Sequence, residues 1–157
     1  MAFRRRIQAK SDGTFTIRLG DDERHLLGSL PGQLAALVDA APEDPWLQRL
    51  FPTAYPNDPE REQEWRLLMS VDLHDRRRSQ LATLAETASA TSITEEQLHI
   101  WSQALNDLRL YLGTRLDLSE ETTDEDHRDL FILYSWLGFL QEETIEALSR
   151  VLPPPPT

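Results

Sequence analysis

The chain has 157 residues, of which 39% are hydrophobic and 27% charged, and its formal net charge is −11 at pH 7. This length fits one globular domain that buries about two-thirds of its unfolded surface. The absence of cysteine excludes disulfides, thiol nucleophiles, thiolate zinc sites and thiol redox sensing. The negative charge suits basic protein partners and makes autonomous nucleic-acid binding weak or absent, unless positive charge is gathered on one face.

No segment has the pattern of a membrane span or a secretory signal. Met1 to Lys10 carries a basic triplet, but no apolar run follows it. The longest apolar run, Leu130 to Leu140, has 11 residues, whereas a membrane span needs about 20. We therefore expect a cytoplasmic protein.

Residues 1–20 predict a β-hairpin. Phe15, Ile17 and Leu19 alternate with polar residues, and Ser11 to Gly13 supplies the turn. Because two strands alone are marginally stable in water, we expect the hairpin to pack against helices.

Residues 21–41 predict a kinked helix. Asp21 or Asp22 could cap its start, and leucines at helical spacing form an apolar stripe. Pro31 lies inside that stripe, so we expect the helix to kink there or to split in two.

Residues 42–59 form a connector with five prolines and several aromatic residues. The aromatic anchors indicate an ordered connector, with a short helical turn around Trp46 to Leu50.

Next comes a helix that begins near Asp58 and Pro59. If unbroken to Ala90, it would be about 48 Å long, so we expect a bend near His74 to Ser79 or one projecting end. Its apolar face opens with Trp65, Leu68 and Met69.

Two further helices complete a predicted three-helix core over residues 60–151. Thr94 and Gln97 form a capping box for the first of these helices, with Ile93 and Leu98 as a hydrophobic staple, and Gly113 is a natural carboxyl-terminal cap. The last helix runs from Thr123 or Asp124 to Val151. Because Leu130 to Leu140 is apolar nearly all round, we expect this helix to be the centre of the core. Residues 152–157 form a flexible proline tail.

The predicted fold is therefore mainly α. Residues 1–157 form a single domain, a helical bundle of about four main helices with an amino-terminal β-hairpin packed against it.

No motif of catalysis, cofactor binding or metal binding is present. The four histidines lie in four different segments, and the chain has neither a Gly-x-Ser-x-Gly elbow nor a glycine-rich phosphate loop. We expect no catalytic residue, no cofactor and no metal ligand.

Two basic clusters are candidate contacts to phosphate or to a partner. They are Arg4, Arg5 and Arg6 on the hairpin, and Arg76, Arg77 and Arg78 on the second main helix. The interpretation that we favour for both is that these arginines pair with the abundant carboxylates of the chain.

A polar cluster is also predicted. Asp72 lies on the apolar face of its helix, where a carboxylate needs a partner. Asn106 and Arg109 flank the buried stripe of the next helix, and Arg115 lies just past its predicted end. Our hypothesis is that Asp72 pairs with Arg109 or Arg115 and fixes the packing of the helices.

The segment from Ala104 to Leu116, ALNDLRLYLGTRL, resembles the signature of the actinobacterial AosR-like family. Phe51 to Tyr55, Ser29 to Leu34 and Tyr134 to Glu142 are similar to it as well, so the resemblance covers nearly the whole chain. The family offers no established catalytic residues to carry over.

The resemblance implies a cytoplasmic regulator of the oxidative-stress response. Such a protein acts on transcription through a protein partner, a sigma factor or RNA polymerase. Genes of the family tend to lie beside that of the ClpS adaptor, which hints equally at proteolysis or amino-acid metabolism. Since this chain has no cysteine, it cannot sense oxidant through a disulfide, so any such regulation must lie in a partner or be absent here.

Three functions follow, in order of preference. The first is a non-enzymatic regulator that binds a protein through a helical surface. The second is a direct DNA-binding regulator that uses the two arginine clusters. The third is an enzyme of unknown class with a polar pocket near Asn106, Arg109 and Arg115. The long second helix and the aromatic residues of the connector are also compatible with a homodimer.

Overall fold

A computed structural model of the protein describes residues 5–118 and 124–151. Within these residues the chain forms four long helices, one short 3-10 helix and a small antiparallel sheet, so the predicted mainly α class is confirmed. The predicted proline tail, residues 152–157, lies outside the described residues, as does Arg4. In chain order the elements are β1 (Ile7–Ala9), β2 (Phe15–Ile17), α1 (Asp21–Ala40), the 3-10 helix (Pro45–Leu47), α2 (Pro59–Thr87), β3 (Ser92–Ile93), α3 (Glu95–Leu118) and α4 (Asp124–Ser149).

The amino-terminal sheet contains the predicted hairpin and one strand more. In the hairpin, Ile7 pairs with Ile17, and the turn places Gly13 at a φ of +88°, a conformation that favours glycine. The strand β3 then pairs antiparallel with β2, so that Phe15 lies opposite Ile93. A strand of two residues has no alternation to read, which is why the sequence predicted Ile93 only as part of a helix staple.

The first helix, α1, is continuous from Asp21 to Ala40 with Pro31 inside it. Of the two predicted outcomes at Pro31, a kink or a split, the split is therefore wrong. Pro31 is buried together with Leu27 and Leu34. The burial of these side chains offsets the loss of one backbone hydrogen bond at the proline. The predicted caps are also wrong, because Gly20 occupies the N-cap position.

The second helix, α2, begins at Pro59 as predicted, and the Asp58 side chain caps it by accepting a hydrogen bond from the backbone N–H of Arg61. The helix is assigned without interruption over 29 residues, a length of about 43 Å. The amino-terminal half of α2 carries exposed leucines. Leu67 and Leu68 are 72% and 77% exposed, whereas Leu81 and Leu84 are buried in the core. The predicted apolar face that opens with Trp65, Leu68 and Met69 is thus exposed at Leu68 and at Met69, which is 48% exposed.

The central helix of the core is α3. Trp101, Ala104, Leu105 and Leu108 are buried along it, and it packs against α4, α2, α1 and the 3-10 helix. Its capping box is confirmed: the Thr94 backbone N–H donates to Gln97 Oε1 at 2.9 Å, and the Gln97 backbone N–H donates to Thr94 Oγ1 at 3.1 Å.

Gly113 lies inside α3 instead of capping it, since the helix continues to Leu118. A Cβ at Gly113 would lie 3.0 Å from Arg49 Nη1 and 3.4 Å from Tyr134 Cε2. Gly113 therefore allows two side chains to approach the helix closely, and it does not cap the end of α3.

The last helix, α4, begins at Asp124 as predicted, but it is not the centre of the core. Leu137, Leu140 and Ala147 are buried against the bundle, while the opposite side carries exposed phenylalanine and isoleucine. Apolar composition all round the helix therefore does not mean burial all round, and the predicted central role belongs to α3.

One carboxylate joins three elements at the hairpin end of the bundle. Glu23, in the first turn of α1, accepts hydrogen bonds from Arg6 Nε at 2.9 Å and from Trp136 Nε1 of α4 at 2.7 Å. It also accepts the backbone N–H of Gly20 at 3.1 Å. Burial acts to raise the pKa of Glu23, but these three donors outweigh it and the pKa is lowered.

We expect Glu23→Gln to lower the free energy of unfolding by about 1 kcal/mol at neutral pH, since the charge-assisted hydrogen bonds are lost. The folded pKa lies below the ordinary value of 4.5, so the carboxylate stabilises the fold above that value. This contribution is lost as the pH falls through the folded pKa. Urea denaturation at neutral and acid pH measures it, with Glu86→Gln at an exposed position as the control. A deficit independent of pH would contradict the assignment.

Candidate functional site

The candidate site is an open groove between the connector and the amino-terminal half of α2, called the connector groove below. Its cavity volume is about 470 Å³, within the range of ligand and peptide sites. The walls are mainly apolar. They are formed by Pro42, Glu43, Phe51, Pro52, Pro59, Glu62, Gln63, Trp65, Arg66, Leu67, Met69, Leu73 and His74.

Polar contacts at the rim hold the connector against α2. Glu62 accepts the backbone N–H of Tyr55 at 2.7 Å and Arg66 Nε at 3.0 Å, and Arg66 also bridges to Glu43 at 3.1 Å. The backbone N–H of Tyr55 is the largest cause of the lowered pKa of Glu62. The rim charges are therefore used in shaping the groove, and its interior is left apolar.

Behind the groove, aromatic and cationic groups form a packed floor. The rings of Phe51 and His74 lie 4.5 Å apart, and the Arg77 guanidinium lies 5.5 Å from the centre of the Phe51 ring. Arg77 Nη2 donates to the Leu50 carbonyl oxygen at 2.9 Å, which attaches the connector to α2.

Arg77 also forms an ion pair with Asp107 of α3. The Asp107 side chain is 6% exposed and that of Arg77 18%. Burial raises the pKa of Asp107, and the attraction of Arg77 opposes that shift. The pair is thus a buried connection between α2 and α3 beneath the groove.

The predicted pairing of Asp72 with Arg109 or Arg115 is wrong. Asp72 is exposed on α2, and the contacts of both arginines in the described residues are with other partners. The residue of α2 that pairs with α3 is Arg77, which lies about 140° farther round the helix than Asp72. The sequence therefore anticipated an ion pair between these helices but assigned it to the wrong side chains.

Asn106 and Arg109 are brought together by a residue that the sequence reading missed. Arg109 Nη1 donates to Gln141 Oε1 of α4 at 2.7 Å, and Gln141 Nε2 lies 3.5 Å from Asn106 Oδ1. The Arg109 guanidinium is 4.9 Å from the centre of the Tyr134 ring and passes over Gly138. These contacts serve the packing of α3 on α4.

Arg115 belongs to a different cluster. Its guanidinium lies 4.5 Å from the ring centre of Trp46 and 5.6 Å from that of Tyr111, so it fastens the 3-10 helix to α3. Neither of the two described cavities is lined by Asn106, Arg109 or Arg115.

Most of the candidate basic residues face carboxylates, as the favoured interpretation predicted. Arg5 pairs with Glu146 at 3.2 Å, Arg6 with Glu23 and Glu143, and Arg78 with Asp39 and Asp75. Arg76 is exposed.

A second cavity of about 590 Å³ lies at the hairpin and is more polar than the connector groove. Arg5, Arg18 and Arg150 are among the residues that line it.

The family model described as "Domain of unknown function (DUF2017)" matches residues 2–148. The chain belongs to this family. Among curated proteins, the chain is similar to "Putative oxidative stress regulator AosR" of Mycobacterium leprae (strain TN), with 35% identity over 129 residues. The match covers 68% of this chain and 59% of that relative, so the chain spans less than two-thirds of the relative's length. The predicted AosR-like family is confirmed.

No solved structure matches the chain. Within the described residues, no helix combines the length and the apolarity needed to cross a membrane.

The connector groove was not predicted from the sequence. The one signal for it was the combination of five prolines with aromatic residues in residues 42–59, from which an ordered connector was inferred. The groove arises because Leu67 and Met69, two apolar side chains of a kind usually found in a core, lie at the surface beside that connector.

We expect Asp107→Ala to destabilise the fold by about 3 kcal/mol, because Arg77 would be left buried without its carboxylate. Replacing both residues by apolar ones, Arg77→Met with Asp107→Leu, should cost at least about 1 kcal/mol less than the single change. Denaturant unfolding of the two variants measures the difference. A double variant less stable than the single one would show that the pair itself, beyond the penalty of an unpaired charge, holds α2 on α3.

Proposed function

We propose that the chain is a non-enzymatic regulator of the oxidative-stress response that binds a protein partner through the connector groove. The observation that carries the proposal is the groove itself, an apolar cleft walled by Trp65, Leu67 and Met69 on a surface that is otherwise rich in charge. Exposed apolar clefts rimmed by polar groups are typical of protein-binding sites. The name of the Mycobacterium leprae relative supports the regulatory and oxidative-stress part of the proposal.

The partner that fits this groove is an apolar segment with basic residues beside it. The interior takes leucine or aromatic side chains, and the net charge of −11 favours basic residues beside them. We propose a sigma factor or RNA polymerase as the partner, in keeping with the implied role in transcription.

Two neighbouring leucines test the groove. Leu67 lines it, whereas Leu68 is exposed outside it, and both are more than 70% exposed, so neither substitution disturbs the core. We expect immobilised chain carrying Leu68→Asp to retain a sigma factor or RNA polymerase from nuclease-treated lysate of the source organism. Chain carrying Leu67→Asp should lose it, because a carboxylate in the apolar groove is unpaired. Mass spectrometry of the captured proteins measures both.

Other outcomes of that capture point elsewhere. Equal recovery by Leu67→Asp and Leu68→Asp would remove the groove from the interaction. Recovery of Clp components in place of RNA polymerase would favour a role in proteolysis. If recovery depends on nucleic acid and disappears on nuclease treatment, direct DNA binding is favoured instead, with the cavity around Arg5, Arg18 and Arg150 as the surface to mutate.

The groove also offers a route by which oxidant could act on a chain without cysteine. Met69 and Met1 are the two methionines, and Met69 lines the groove with 48% of its surface exposed. Hydrogen peroxide transfers one oxygen atom to the thioether, which gives a polar sulfoxide and water.

We expect peroxide treatment of the purified chain to weaken its subsequent capture of the partner, since the sulfoxide makes the groove polar. The variant Met69→Leu keeps the apolar volume and should bind equally before and after treatment. Peptide mass spectrometry assigns the added oxygen to Met69. If the leucine variant loses capture as the wild type does, the oxidant acts at another residue.

A further inference from the structure

The outer side of α4 carries an apolar surface distinct from the connector groove. Phe131, Ile132, Phe139 and Ile145 are between 52% and 66% exposed. At 100° per residue they lie within about 140° of the helix circumference, and they extend over about 21 Å of its length. This set is called the α4 outer face below. Several large apolar side chains exposed on one side of a helix are characteristic of an interaction surface.

The two phenylalanines of the α4 outer face, and one charged residue at each end, are placed symmetrically about Ser135. Phe131 and Phe139 lie four residues before and after it, and Arg128 and Glu142 lie seven residues before and after it. Residues four or seven apart share one side of a helix. Arg128 and Glu142 are both exposed, and neither forms an ion pair in the described part of the chain. Ser135, at the centre, is small and half-buried.

We propose that two copies of the chain pair through antiparallel α4 helices that cross at Ser135. In this arrangement Phe131 of each copy meets Phe139 of the other, and Arg128 of each copy meets Glu142 of the other. A two-fold axis makes every such contact twice, which is the pattern of an isologous dimer. The small Ser135 side chain allows the two helices to approach closely at the crossing.

The arrangement of charge selects a second copy over an unrelated protein. A foreign partner would impose no equal spacing of the cation and the anion from one central residue, whereas a two-fold pairing requires it. The phenylalanine pairs drive association through buried apolar area. The net charge of −11 on each copy opposes it. One helix face buries less than the roughly 800 Å² per partner of a standard interface, so we expect a dissociation constant in the micromolar range.

Sedimentation equilibrium of the full chain, at an ionic strength of about 0.15 M, tests the apolar contact. We expect the wild type to show a reversible monomer–dimer equilibrium and Phe139→Asp to weaken it by at least about tenfold, since the dimer buries two unpaired carboxylates. The control Leu68→Asp, at an exposed position on α2, should dimerise as the wild type does. A wild type that stays monomeric into the millimolar range, or a Phe139→Asp variant that dimerises normally, overturns the proposal.

Charge reversal tests the register. Arg128→Glu and Glu142→Arg each place two like-charge pairs in their homodimers, and each should weaken dimerisation by roughly fivefold. In a one-to-one mixture of the two variants every pair is opposite in sign, so the mixed dimer should return to wild-type affinity. The variant that carries both reversals should also return to it. If the mixture is no stronger than the single variants, the antiparallel crossing at Ser135 is wrong. Circular dichroism confirms that each variant keeps its helical content.

Discussion

The buried ion pair between Arg77 and Asp107 is the constraint on which the candidate site depends. A charged pair out of water is costly unless both members are held in place. The pair therefore fixes the rotation of α2 against α3. Because Arg77 also donates to the Leu50 carbonyl and lies over Phe51, the same interaction anchors the connector. The position of the groove thus follows from one arginine of α2 that contacts both α3 and the connector.

Arginine has a structural role throughout this acidic protein. Arg6 joins the sheet to α1 and α4 through Glu23 and Glu143, Arg109 joins α3 to α4 through Gln141, and Arg115 joins the 3-10 helix to α3 by stacking. A guanidinium suits these positions because it offers several donors in one plane and also stacks on aromatic rings. In the described residues, eight of the 16 lysines and arginines form ion pairs with carboxylates. Together with the net charge of −11, this pairing argues against a large nucleic-acid interface.

The two exposed apolar surfaces lie on different helices. The connector groove is built on α2 and the α4 outer face on α4, and α3 packs against both helices. The proposed homodimer and the proposed protein partner would use separate surfaces, so the two proposals are compatible. In such an arrangement a dimer presents two grooves, and each groove gains effective concentration when the partner is itself multivalent.

Signals that act within a few residues could be predicted from the sequence alone. The capping box at Thr94 and Gln97, the proline at the start of α2 and the alternation of the hairpin determine local hydrogen bonds and backbone angles, and each was confirmed. The burial of a given face was decided by tertiary packing. Leu68 and Phe139 are as apolar as the buried leucines of their helices, and the residues beside them along the chain do not show that these two side chains stay exposed. The pairing of Arg77 with Asp107, and the close approach of Arg49 to Gly113, likewise depend on helices brought together from distant parts of the chain.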